Sequence, residues 1–384
     1  MVRRYRVPAP ATRLGDVIPG RATAEGTAAA AARADGLAPD FFAPAWPGGL
    51  TLPGLGIGTY LGPSDEATDT AYEGALAAAL AAGLFHLDTA INYRAQRSER
   101  VIGRLVERLL AAGGLRREEL VLASKGGFVP RDAEEPGKGG AALLQGVPPE
   151  EVVDGCHCLH PAWIARMLAI SRKNLRLATL DVYYLHNPET QLGHVARPVF
   201  YERLKRAFAA LEQARAAGEL AWYGTATWSG YLRPPEDPSA LDMERVVGVA
   251  RAVGGEEHGL RFVQLPVSLA QPTAFAEVTQ RISGEPVTAL EAARRLGLVP
   301  VASGSLGQGK LARAGACPDA LDPQGQGLTP AQRALRFARS TGAATALVGC
   351  ARREHLEEDL GAARVPRLDP AALRAALAAA QGAG

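Results

Sequence analysis

The chain has few cysteines for its length. Four cysteines occur in 384 residues, and their number and uneven spacing do not suit a disulfide framework. We therefore expect the protein to reside in a reducing compartment, the cytoplasm. The four are Cys156, Cys158, Cys317 and Cys350.

The sequence also lacks an excess of either charge and lacks long apolar runs. Its 42 basic and 40 acidic residues leave a formal charge of +2, which excludes a protein built mainly to bind nucleic acid. No stretch approaches the roughly 20 apolar residues of a membrane span, and the N-terminus has no apolar secretion-signal core. The early arginines are similar to those of a transit peptide, an alternative that the prolines among the first 19 residues disfavour.

Short apolar runs and amphipathic helical stretches alternate from about Leu52 onward. Eight such pairs predict parallel strands, because antiparallel hairpins would need no helical crossover. We therefore predict an α/β fold, a (β/α)8 TIM barrel with an N-terminal extension and a long loop after strand three. The predicted strands are Leu55–Thr59, Leu84–Asp88, Leu120–Lys125, Leu180–His186, Ala221–Thr227, Phe262–Pro266, Val299–Ser303 and Ala346–Gly349. The predicted helices are Glu66–Ala82, Ser98–Ala112, Pro161–Asn174, Phe200–Ala217, Asp242–Val253, Thr288–Leu296, Pro330–Ser340 and Arg353–Leu360.

The chain is longer than the about 250 residues that such a barrel needs. We divide it into an extension over residues 1–48, with a short helix over Glu25–Ala34, and a barrel domain over residues 49–384. The barrel domain is expected to end in an alanine-rich helix over Pro370–Ala380. Residues 126–160 form the long loop, and because βα loops of this fold surround the active site, we expect a substrate lid there.

Polar residues interrupt the apolar pattern where three neighbouring strands end. Asp88 ends the second predicted strand, Lys125 the third and His186 the fourth, and Tyr93 follows the second strand closely. Because the carboxyl ends of barrel strands face one site, we expect these four side chains to meet. A lysine kept charged by an aspartate would stabilise a tyrosinate, so we expect the pKa of Tyr93 to lie below its usual value of about 10. Tyr93 would then act as an acid near neutral pH.

Each of the four residues also has a purely structural interpretation. Asp88 could cap a turn, and Tyr93 could pack at the barrel mouth. Lys125 could be a solvated strand end, and His186 a hydrogen-bonded loop histidine. Their joint occurrence at matching strand ends favours chemistry over coincidence.

These residues lie in segments that resemble the aldo-keto reductase family, and the similarity runs from about Leu52 to Ala363. The matching segments are residues 56–60 (Gly-Ile-Gly-Thr-Tyr), Asp88 to Tyr93 with Ser98-Glu99 and Ile102-Gly103, residues 123–125 (Ala-Ser-Lys), residues 183–186 (Tyr-Tyr-Leu-His), Gln264, residues 305–311, and Gly349 with residues 354–359.

The resemblance implies an NAD(P)H-dependent oxidoreductase that reduces an aldehyde or ketone to an alcohol, or runs the reverse reaction. Tyr93 would be the general acid, Asp88 and Lys125 would tune it, and His186 would orient the carbonyl. NADP(H) is the expected cofactor, with NAD(H) as the alternative, and no metal is required. The implied cofactor-binding residues are Gly58, Thr59, Asp88, Thr227, Gln264, Ser303, Ser305, Leu306, Gly307, Lys310, Gly349, Arg352, His355, Glu358 and Asp359. The expected substrate-binding residues are Tyr60, Tyr93, Phe128, His186 and Trp228.

Four positions depart from the family pattern, one of them His355, which stands where many members have a basic residue near the adenosine 2′-phosphate. Ala226 and Thr227 stand where the family usually has a Ser-Asn pair that binds the nicotinamide, and Ser303 stands where an aromatic ring is frequent. Two alternatives therefore stay open. One is a barrel that retains the cofactor as a sensor or partner-binding subunit, and the other is an isomerase or lyase that uses internal hydride transfer.

A zinc site is a further, less favoured alternative. Its ligands would be Cys156, His157, Cys158 and His160, but they are too crowded to match the usual paired spacings of zinc ligands. The expected partners are a small carbonyl or alcohol substrate, without nucleic acid or membrane, and the expected assembly is a monomer or a small homo-oligomer.

Overall fold

The computed structural model describes residues 17–45 and 48–382. The arginines that suggested a transit peptide lie outside the described residues. The strands of the described part are β1 (Phe42–Ala45), β2 (Leu50–Pro53), β3 (Leu55–Gly58), β4 (His86–Asp88), β5 (Val121–Gly126), β6 (Val152–Val153), β7 (His157–Cys158), β8 (Leu180–His186), β9 (Leu220–Ala226), β10 (Leu260–Pro266), β11 (Val278–Ile282), β12 (Glu285–Thr288), β13 (Val299–Ser303) and β14 (Thr345–Gly349). The α-helices are α1 (Ala24–Arg33), α2 (Glu66–Ala81), α3 (Arg97–Ala111), α4 (Pro161–Leu175), α5 (Arg197–Ala216), α6 (Met243–Gly254), α7 (Thr273–Ala276), α8 (Ala289–Arg295), α9 (Pro330–Ser340), α10 (Arg353–Arg364) and α11 (Pro370–Gly382). None of the helices in this described part is long and apolar enough to cross a membrane.

Within the described residues, eight parallel strands close into a barrel. Their order around the barrel is β3, β4, β5, β8, β9, β10, β13 and β14, and β14 pairs with β3 to complete the ring. Each barrel strand therefore lies beside the next barrel strand in the chain, and helices fill the crossovers. The predicted (β/α)8 TIM barrel is confirmed.

The alternation of side chains along each strand brings polar residues to the open end of an apolar interior. Val121 and Ala123 of β5 belong to the interior cluster, and Lys125 continues the same face of the strand. On β8, Tyr184 belongs to that cluster and His186 continues its face. The register pairs Lys125 with Tyr184, so both polar strand ends lie at the same end of the barrel.

Strands β1 and β2 cover the opposite end. β1 and β2 form an antiparallel hairpin, and Leu50 and Leu52 belong to the interior cluster of the barrel. The predicted short helix is present as α1, and the side chain of Thr23 caps it by accepting a hydrogen bond from the backbone N–H of Gly26 at 3.0 Å. The division of the chain at residue 48 stays a prediction.

Two further antiparallel hairpins, like the β1–β2 hairpin, were not predicted from the sequence. β6 and β7 pair within the long loop over residues 126–160, and β11 and β12 pair between β10 and α8, a stretch for which no element was predicted. The short helix α7 precedes the second hairpin. The first hairpin matters for the site, because it places His157 behind the end of β8.

Candidate active site

A cleft of about 780 Å³ opens at the carboxyl ends of the barrel strands. Its volume lies within the range of about 300 to 1,000 Å³ that is usual for small-molecule sites. The residues that line it are Gly58, Tyr60, Leu61, Asp88, Asn92, Tyr93, Phe128, His186, Asn187, Ala226, Thr227, Trp228, Gln264, Ser303, Gly304, Ser305, Leu306, Gln308, Gly309, Ala312, Ala331, Leu347, Val348, Gly349, His355, Glu358 and Asp359.

The charged centre of the cleft is a buried ion pair between Lys125 and Asp88. The Lys125 ammonium donates to Asp88 Oδ1 and, at 2.8 Å, to the carbonyl of Thr89, and it lies 3.4 Å from the hydroxyl of Tyr93. The second carboxylate oxygen of Asp88 accepts a hydrogen bond from Gln264 Nε2 at 2.8 Å. The ammonium is thus held by fixed acceptors and faces the tyrosine hydroxyl.

Tyr93 begins a tight turn between β4 and α3. The three residues after it, Arg94, Ala95 and Gln96, have φ values of 48°, 52° and 72°, a left-handed backbone that is unfavourable for residues other than glycine. The buried guanidinium of Arg94 stabilises this turn by donating to Asp69 at 2.6 Å and to the carbonyl of Pro63 at 2.8 Å. The turn therefore fixes the phenol ring relative to the barrel.

The pKa of Tyr93 is raised above its usual value. Burial is the largest cause, since it disfavours the phenolate, and the charge of Asp88 acts in the same direction. Lys125 acts in the opposite direction but does not outweigh burial. The expectation of a lowered pKa was therefore wrong, and Tyr93 carries its proton at neutral pH. Lys125 also stays charged, because Asp88 and Tyr93 outweigh the effect of its burial and raise its pKa.

His186 is neutral and faces the tyrosine. Burial lowers the pKa of its imidazole well below the usual value, and the positive charge of Lys125 adds to that shift. Its ring meets Tyr93 edge-on at 5.8 Å and Phe128 at 5.1 Å between centroids. A neutral imidazole here can hydrogen-bond a polar ligand without carrying charge into the cleft.

Most of the predicted cofactor-binding residues line the cleft. These are Gly58, Asp88, Thr227, Gln264, Ser303, Ser305, Leu306, Gly349, His355, Glu358 and Asp359. Four predicted residues do not line it, for local reasons. Thr59 is buried against the carbonyl of Asp88, Gly307 and Lys310 form turns in the loop after β13, and Arg352 precedes the first residue of α10.

Several buried polar atoms of the cleft lack a hydrogen-bond partner within the described residues. They are Asn92 Oδ1, His186 Nδ1, Thr227 Oγ1, Ser305 Oγ and Asp359 Oδ2. Burying a polar atom without a partner is unfavourable, so a polar ligand in the cleft would satisfy them. They lie at the ends of different barrel units and along the cleft, which suits an extended ligand with several polar groups.

The outer rim of the cleft is aromatic. Tyr60 is 56% exposed and Trp228 is 51% exposed, both unusually high for large apolar side chains, and Tyr60 meets Tyr93 edge-on at 5.0 Å. Trp228 follows β9 in a loop that Glu189 anchors: the carboxylate accepts from the backbone N–H groups of Trp228 at 2.8 Å and Ser229 at 3.1 Å. The predicted substrate-binding residues Tyr60, Tyr93, Phe128, His186 and Trp228 all line the cleft.

Sequence reasoning did not identify several residues of the site. Asn92 and Asn187 line the cleft and lie within or beside the predicted motifs, so their position next to Tyr93 and His186 was a usable signal. Glu189 gave no such signal, because its role depends on a loop about 40 residues away in the chain.

The long loop does not cover the cleft. Of residues 126–160, all of which the structure describes, only Phe128 lines it. Farther along, Asp132 is held on the outside of the barrel by Arg100 of α3 through two hydrogen bonds of 2.8 and 2.7 Å. The expectation of a lid was therefore wrong for this arrangement, because the polar groups of the loop bind the outer helices.

The zinc alternative is not supported by the geometry. Both ring nitrogens of His157 are hydrogen-bonded, Nε2 with the carbonyl of His186 and Nδ1 with Gln191. Among residues 17–45 and 48–382, no group of three or more His, Cys, Asp or Glu side chains could hold a metal ion.

The fold and the site together define a class of protein. It is a closed (β/α)8 barrel whose carboxyl end holds a buried lysine–aspartate pair, a protonated tyrosine and a neutral histidine in one cleft. Such a set of groups is suited to proton transfer to and from a bound ligand.

Comparison with known proteins agrees with this class. The model of the aldo/keto reductase family matches residues 54–231. An aldo/keto reductase from Klebsiella pneumoniae, solved in complex with NADP and acetate, is 21% identical and has a TM-score of 0.58, over 85% of this chain and 91% of that chain. An aldo-keto reductase from Bacillus halodurans in its holo form is 18% identical with a TM-score of 0.58, over 88% and 95%. A thermostable aldo-keto reductase bound to the inhibitor epalrestat is 18% identical with a TM-score of 0.60, over 88% and 98%.

These structural likenesses show the fold, and no curated protein matches the chain in sequence. The family model covers a little under half of the chain, and this stretch contains Asp88, Tyr93, Lys125 and His186. The resemblance that the sequence motifs indicated is thereby confirmed.

Proposed function

We propose that this protein is an NADP(H)-dependent oxidoreductase that reduces an aldehyde or ketone to an alcohol, or catalyses the reverse reaction. The observation that supports this most directly is the position of the Lys125 ammonium, 3.4 Å from the Tyr93 hydroxyl and paired with Asp88. A proton donor beside a fixed cation is what the reduction of a carbonyl group needs, because negative charge develops on the carbonyl oxygen.

The proposed proton transfer uses groups that the cleft already positions. Tyr93 donates its hydroxyl proton to the carbonyl oxygen as that oxygen becomes an alkoxide. The phenolate that results is stabilised by the charge of Lys125, which Asp88 holds in place. The neutral ring of His186 can donate a hydrogen bond to the same oxygen and so orient the carbonyl. The aromatic side chains of Tyr60, Phe128 and Trp228 limit the access of water to the reacting centre.

The cleft residues fit a dinucleotide. When it is bound, the reduced nicotinamide supplies the hydride that the carbonyl carbon accepts. Thr227 would hold the nicotinamide end, and the hydroxyl of Ser305 would bind the phosphates, since both are buried without partners within the described residues. His355 and Asp359 would contact the adenosine end.

The choice of NADP(H) over NAD(H) is the finer part of the proposal. It is supported by the Klebsiella pneumoniae neighbours, which were solved with NADP and with NADPH. Titration of the protein with each reduced cofactor, followed by intrinsic fluorescence, measures the preference. Equal dissociation constants for the two cofactors would reject it.

The general acid is tested by Tyr93→Phe. We expect the variant to fold and to bind NADPH, but to lose turnover of aldehydes by about 10²-fold or more, because the proton donor is absent. Tyr201→Phe is the matched control: it removes a buried hydroxyl from α5, away from the cleft, and should keep its turnover. Near wild-type activity of Tyr93→Phe on the best aldehyde would contradict the assignment.

A barrel that retains the cofactor as a sensor or partner-binding subunit is the second candidate function. It is favoured by Ala226, which lines the cleft with a methyl group where a hydrogen-bond donor was expected. An isomerase or lyase that uses internal hydride transfer is the third. A panel of aldehydes and ketones with added NADPH distinguishes the three functions. A reductase consumes the NADPH, and a sensor binds it tightly without turnover. An isomerase or lyase converts its substrate without net oxidation of the cofactor.

We further propose that the chain divides into an extension over residues 1–48 and a barrel domain over residues 49–384. The protein acts in the cytoplasm, in keeping with its four free cysteines. It works on a small carbonyl or alcohol substrate as a monomer or a small homo-oligomer.

A further inference from the structure

His157 lies directly behind the end of β8, and its side chain is fully buried. It belongs to β7, the second strand of the hairpin in the long loop. Its Nε2 atom is 2.8 Å from the backbone carbonyl of His186, and its Nδ1 atom is 3.0 Å from Gln191 Nε2. The ring therefore connects the loop over residues 126–160 to the residue that faces Tyr93 in the cleft.

The hydrogen bonds around His157 determine which of its ring nitrogens carries the proton. Arg203 can only donate, and its Nη1 donates to Gln191 Oε1 at 2.6 Å. This leaves the Gln191 amide nitrogen to donate to Nδ1 of His157, so the proton of the imidazole must be on Nε2. That N–H then donates to the His186 carbonyl, which can only accept.

The ring also keeps this form across physiological pH. Burial lowers the pKa of His157 to about 4, against the opposite effect of its hydrogen bond to the His186 carbonyl. The imidazole is therefore neutral at neutral pH, with a single tautomer.

The peptide that His157 contacts is held on both sides. The carbonyl of His186 accepts from His157, and the N–H of the same peptide, on Asn187, donates to the carbonyl of Ala226 at 2.6 Å. Asn187 has a φ of 45°, a left-handed conformation that asparagine adopts more readily than most residues. Because this peptide follows the Cα atom of His186 directly, its orientation determines where the imidazole of His186 points.

Phe128 adds a second contact. Its ring lies edge-on to His157 at 5.0 Å and edge-on to His186 at 5.1 Å, so it sits between the two histidines. Gly127 makes room for this arrangement. A Cβ atom there would lie 2.8 Å from His157 Nε2 and 3.0 Å from the His186 carbonyl, and its φ of +141° is rarely adopted by other residues. The Gly127 carbonyl in turn accepts from the indole of Trp163 at 3.1 Å.

We propose that His157 is a positioning residue for the reaction: through its hydrogen bond to the His186 carbonyl and its contact with Phe128, it sets the orientation of the His186 imidazole in the cleft. The long loop thus supports the site from behind and does not close over it. The inference rests on the proposed function, since it assigns His157 a part in orienting the carbonyl substrate.

The test compares two substitutions of His157. His157→Leu removes the donor to the His186 carbonyl, whereas the amide of His157→Gln reaches about as far as Nε2 and can restore it. We expect His157→Leu to lower kcat for aldehyde reduction about tenfold or more with little change in the NADPH dissociation constant, because a small misplacement of a reacting group is costly. His157→Gln should recover most of the lost kcat.

A double-mutant cycle with His186→Ala separates positioning from stability. If His157 acts through the imidazole of His186, then His157→Leu causes no further loss of kcat once that imidazole is gone. Equal losses in both backgrounds would overturn the proposal. Trp163→Phe is the control, since it removes a hydrogen bond from the same segment without touching His186. It should lower the melting temperature and leave kcat near wild type.

Nuclear magnetic resonance of protein labelled at its histidines gives a readout that does not depend on turnover. The Nε2 proton of His157 should be protected from exchange, and the ring signals of His186 should shift in His157→Leu and stay in place in Trp163→Phe. Unshifted His186 signals would overturn the positioning role, whereas a wild-type protein that reduces no carbonyl compound would reject only the proposed function. If His157→Leu does not fold, Gln191→Leu serves in its place. This variant keeps the His157 side chain but removes the hydrogen bond to Nδ1 that fixes the imidazole proton on Nε2.

Discussion

Replacing Lys125 by methionine is the sharpest perturbation of the proposed chemistry. The change preserves the length and much of the volume of the side chain but removes its charge. Lys125 is almost fully buried, and its ammonium lies 3.4 Å from the Tyr93 hydroxyl. The substitution therefore takes away the cation that would stabilise a phenolate during proton transfer.

The expected magnitude follows from this distance. A full charge on each group at 3.4 Å interacts with about 5 kcal/mol at an effective dielectric constant of about 20. The phenolate charge is only partly developed in the transition state, and Asp88 offsets part of the field, so about 3 kcal/mol is a reasonable expectation. That value corresponds to a loss of about 10²-fold in kcat. The KM for the aldehyde should change little, because Tyr93 is neutral in the ground state.

Stability has to be separated from chemistry, because the substitution leaves Asp88 buried without its cation. Removing one partner of a buried ion pair costs about 3 to 5 kcal/mol of unfolding free energy. Lys125→Met combined with Asp88→Asn removes the uncompensated charge and should recover much of the melting temperature. It should recover none of the lost kcat, since the cation is still missing.

The assay is a single-turnover measurement of NADPH oxidation with enzyme in excess, so that slow release of the cofactor does not hide the chemical step. Circular dichroism and NADPH titration establish that each variant is folded and binds. The reasoning is refuted if folded Lys125→Met loses less than about fivefold in the single-turnover rate, or if the double variant regains wild-type activity.

Three further predictions concern pH, stability and the long loop. Because burial raises the pKa of Tyr93, the rate of carbonyl reduction should stay constant through neutral pH and fall only in alkaline solution. Alcohol oxidation needs the phenolate, so its rate should rise in alkaline solution. The pH profiles of kcat in both directions measure this, and oxidation that is fastest at acidic pH would contradict it. Burial, with a smaller effect of Glu358, raises the pKa of Asp359 from 3.8 to about 7, so folding favours its protonated form and the free energy of unfolding should fall as the pH rises from about 4 to about 7. Asp359→Asn should flatten that dependence in urea titrations of the cofactor-free protein, and an unchanged slope would count against it. Only Phe128 of the described loop residues lines the cleft. Replacing residues 136–146 by a short Gly-Ser linker should therefore leave the KM for aldehydes unchanged, whereas Phe128→Ala should raise it. A raised KM in the linker variant would support a lid after all.

The barrel could be predicted from the sequence because its signals are local and repeated. Each strand is a short apolar run followed by a helix, and several of these helices have a capping side chain, as Thr329 shows for α9. The positions of Asp88, Lys125 and His186 followed from the barrel itself, since the carboxyl ends of its strands meet at one mouth. Tyr93 followed from its distance to Asp88 along the chain.

Two of the three unpredicted hairpins, β6–β7 and β11–β12, had weaker signals that were present in the sequence. The turn of the first contains Asp154-Gly155, and that of the second contains Ser283-Gly284, and all four residues have positive φ. Such pairs are typical of tight hairpin turns. The turn residues alone did not predict the first hairpin, because its strands β6 and β7 have only two residues each and so show no alternating pattern. Without that hairpin, His157 could not be placed behind β8.

The sequence could not predict the direction of the Tyr93 pKa shift, for a different reason. Motifs place Lys125 beside Tyr93, but they do not show how much water reaches the phenol. The shift is a difference between two opposing effects, burial and the charge of Lys125, and only the packed structure shows that burial is larger. The same holds for the long loop, whose length was visible but whose attachment to Arg100 was not.

The left-handed turn at Arg94, Ala95 and Gln96 has a consequence for how this protein can diverge. Each of these residues holds a backbone conformation that disfavours β-branched side chains, and Arg94 is committed to Asp69, so few substitutions are tolerated next to the proposed proton donor. The rim residues Tyr60 and Trp228 are half exposed and carry no such constraint. If the proposed function holds, descendants of this sequence can acquire new substrates by exchanging rim side chains while the proposed apparatus for proton transfer is inherited unchanged. A library that randomises the rim and spares the turn is accordingly the productive design for altering selectivity.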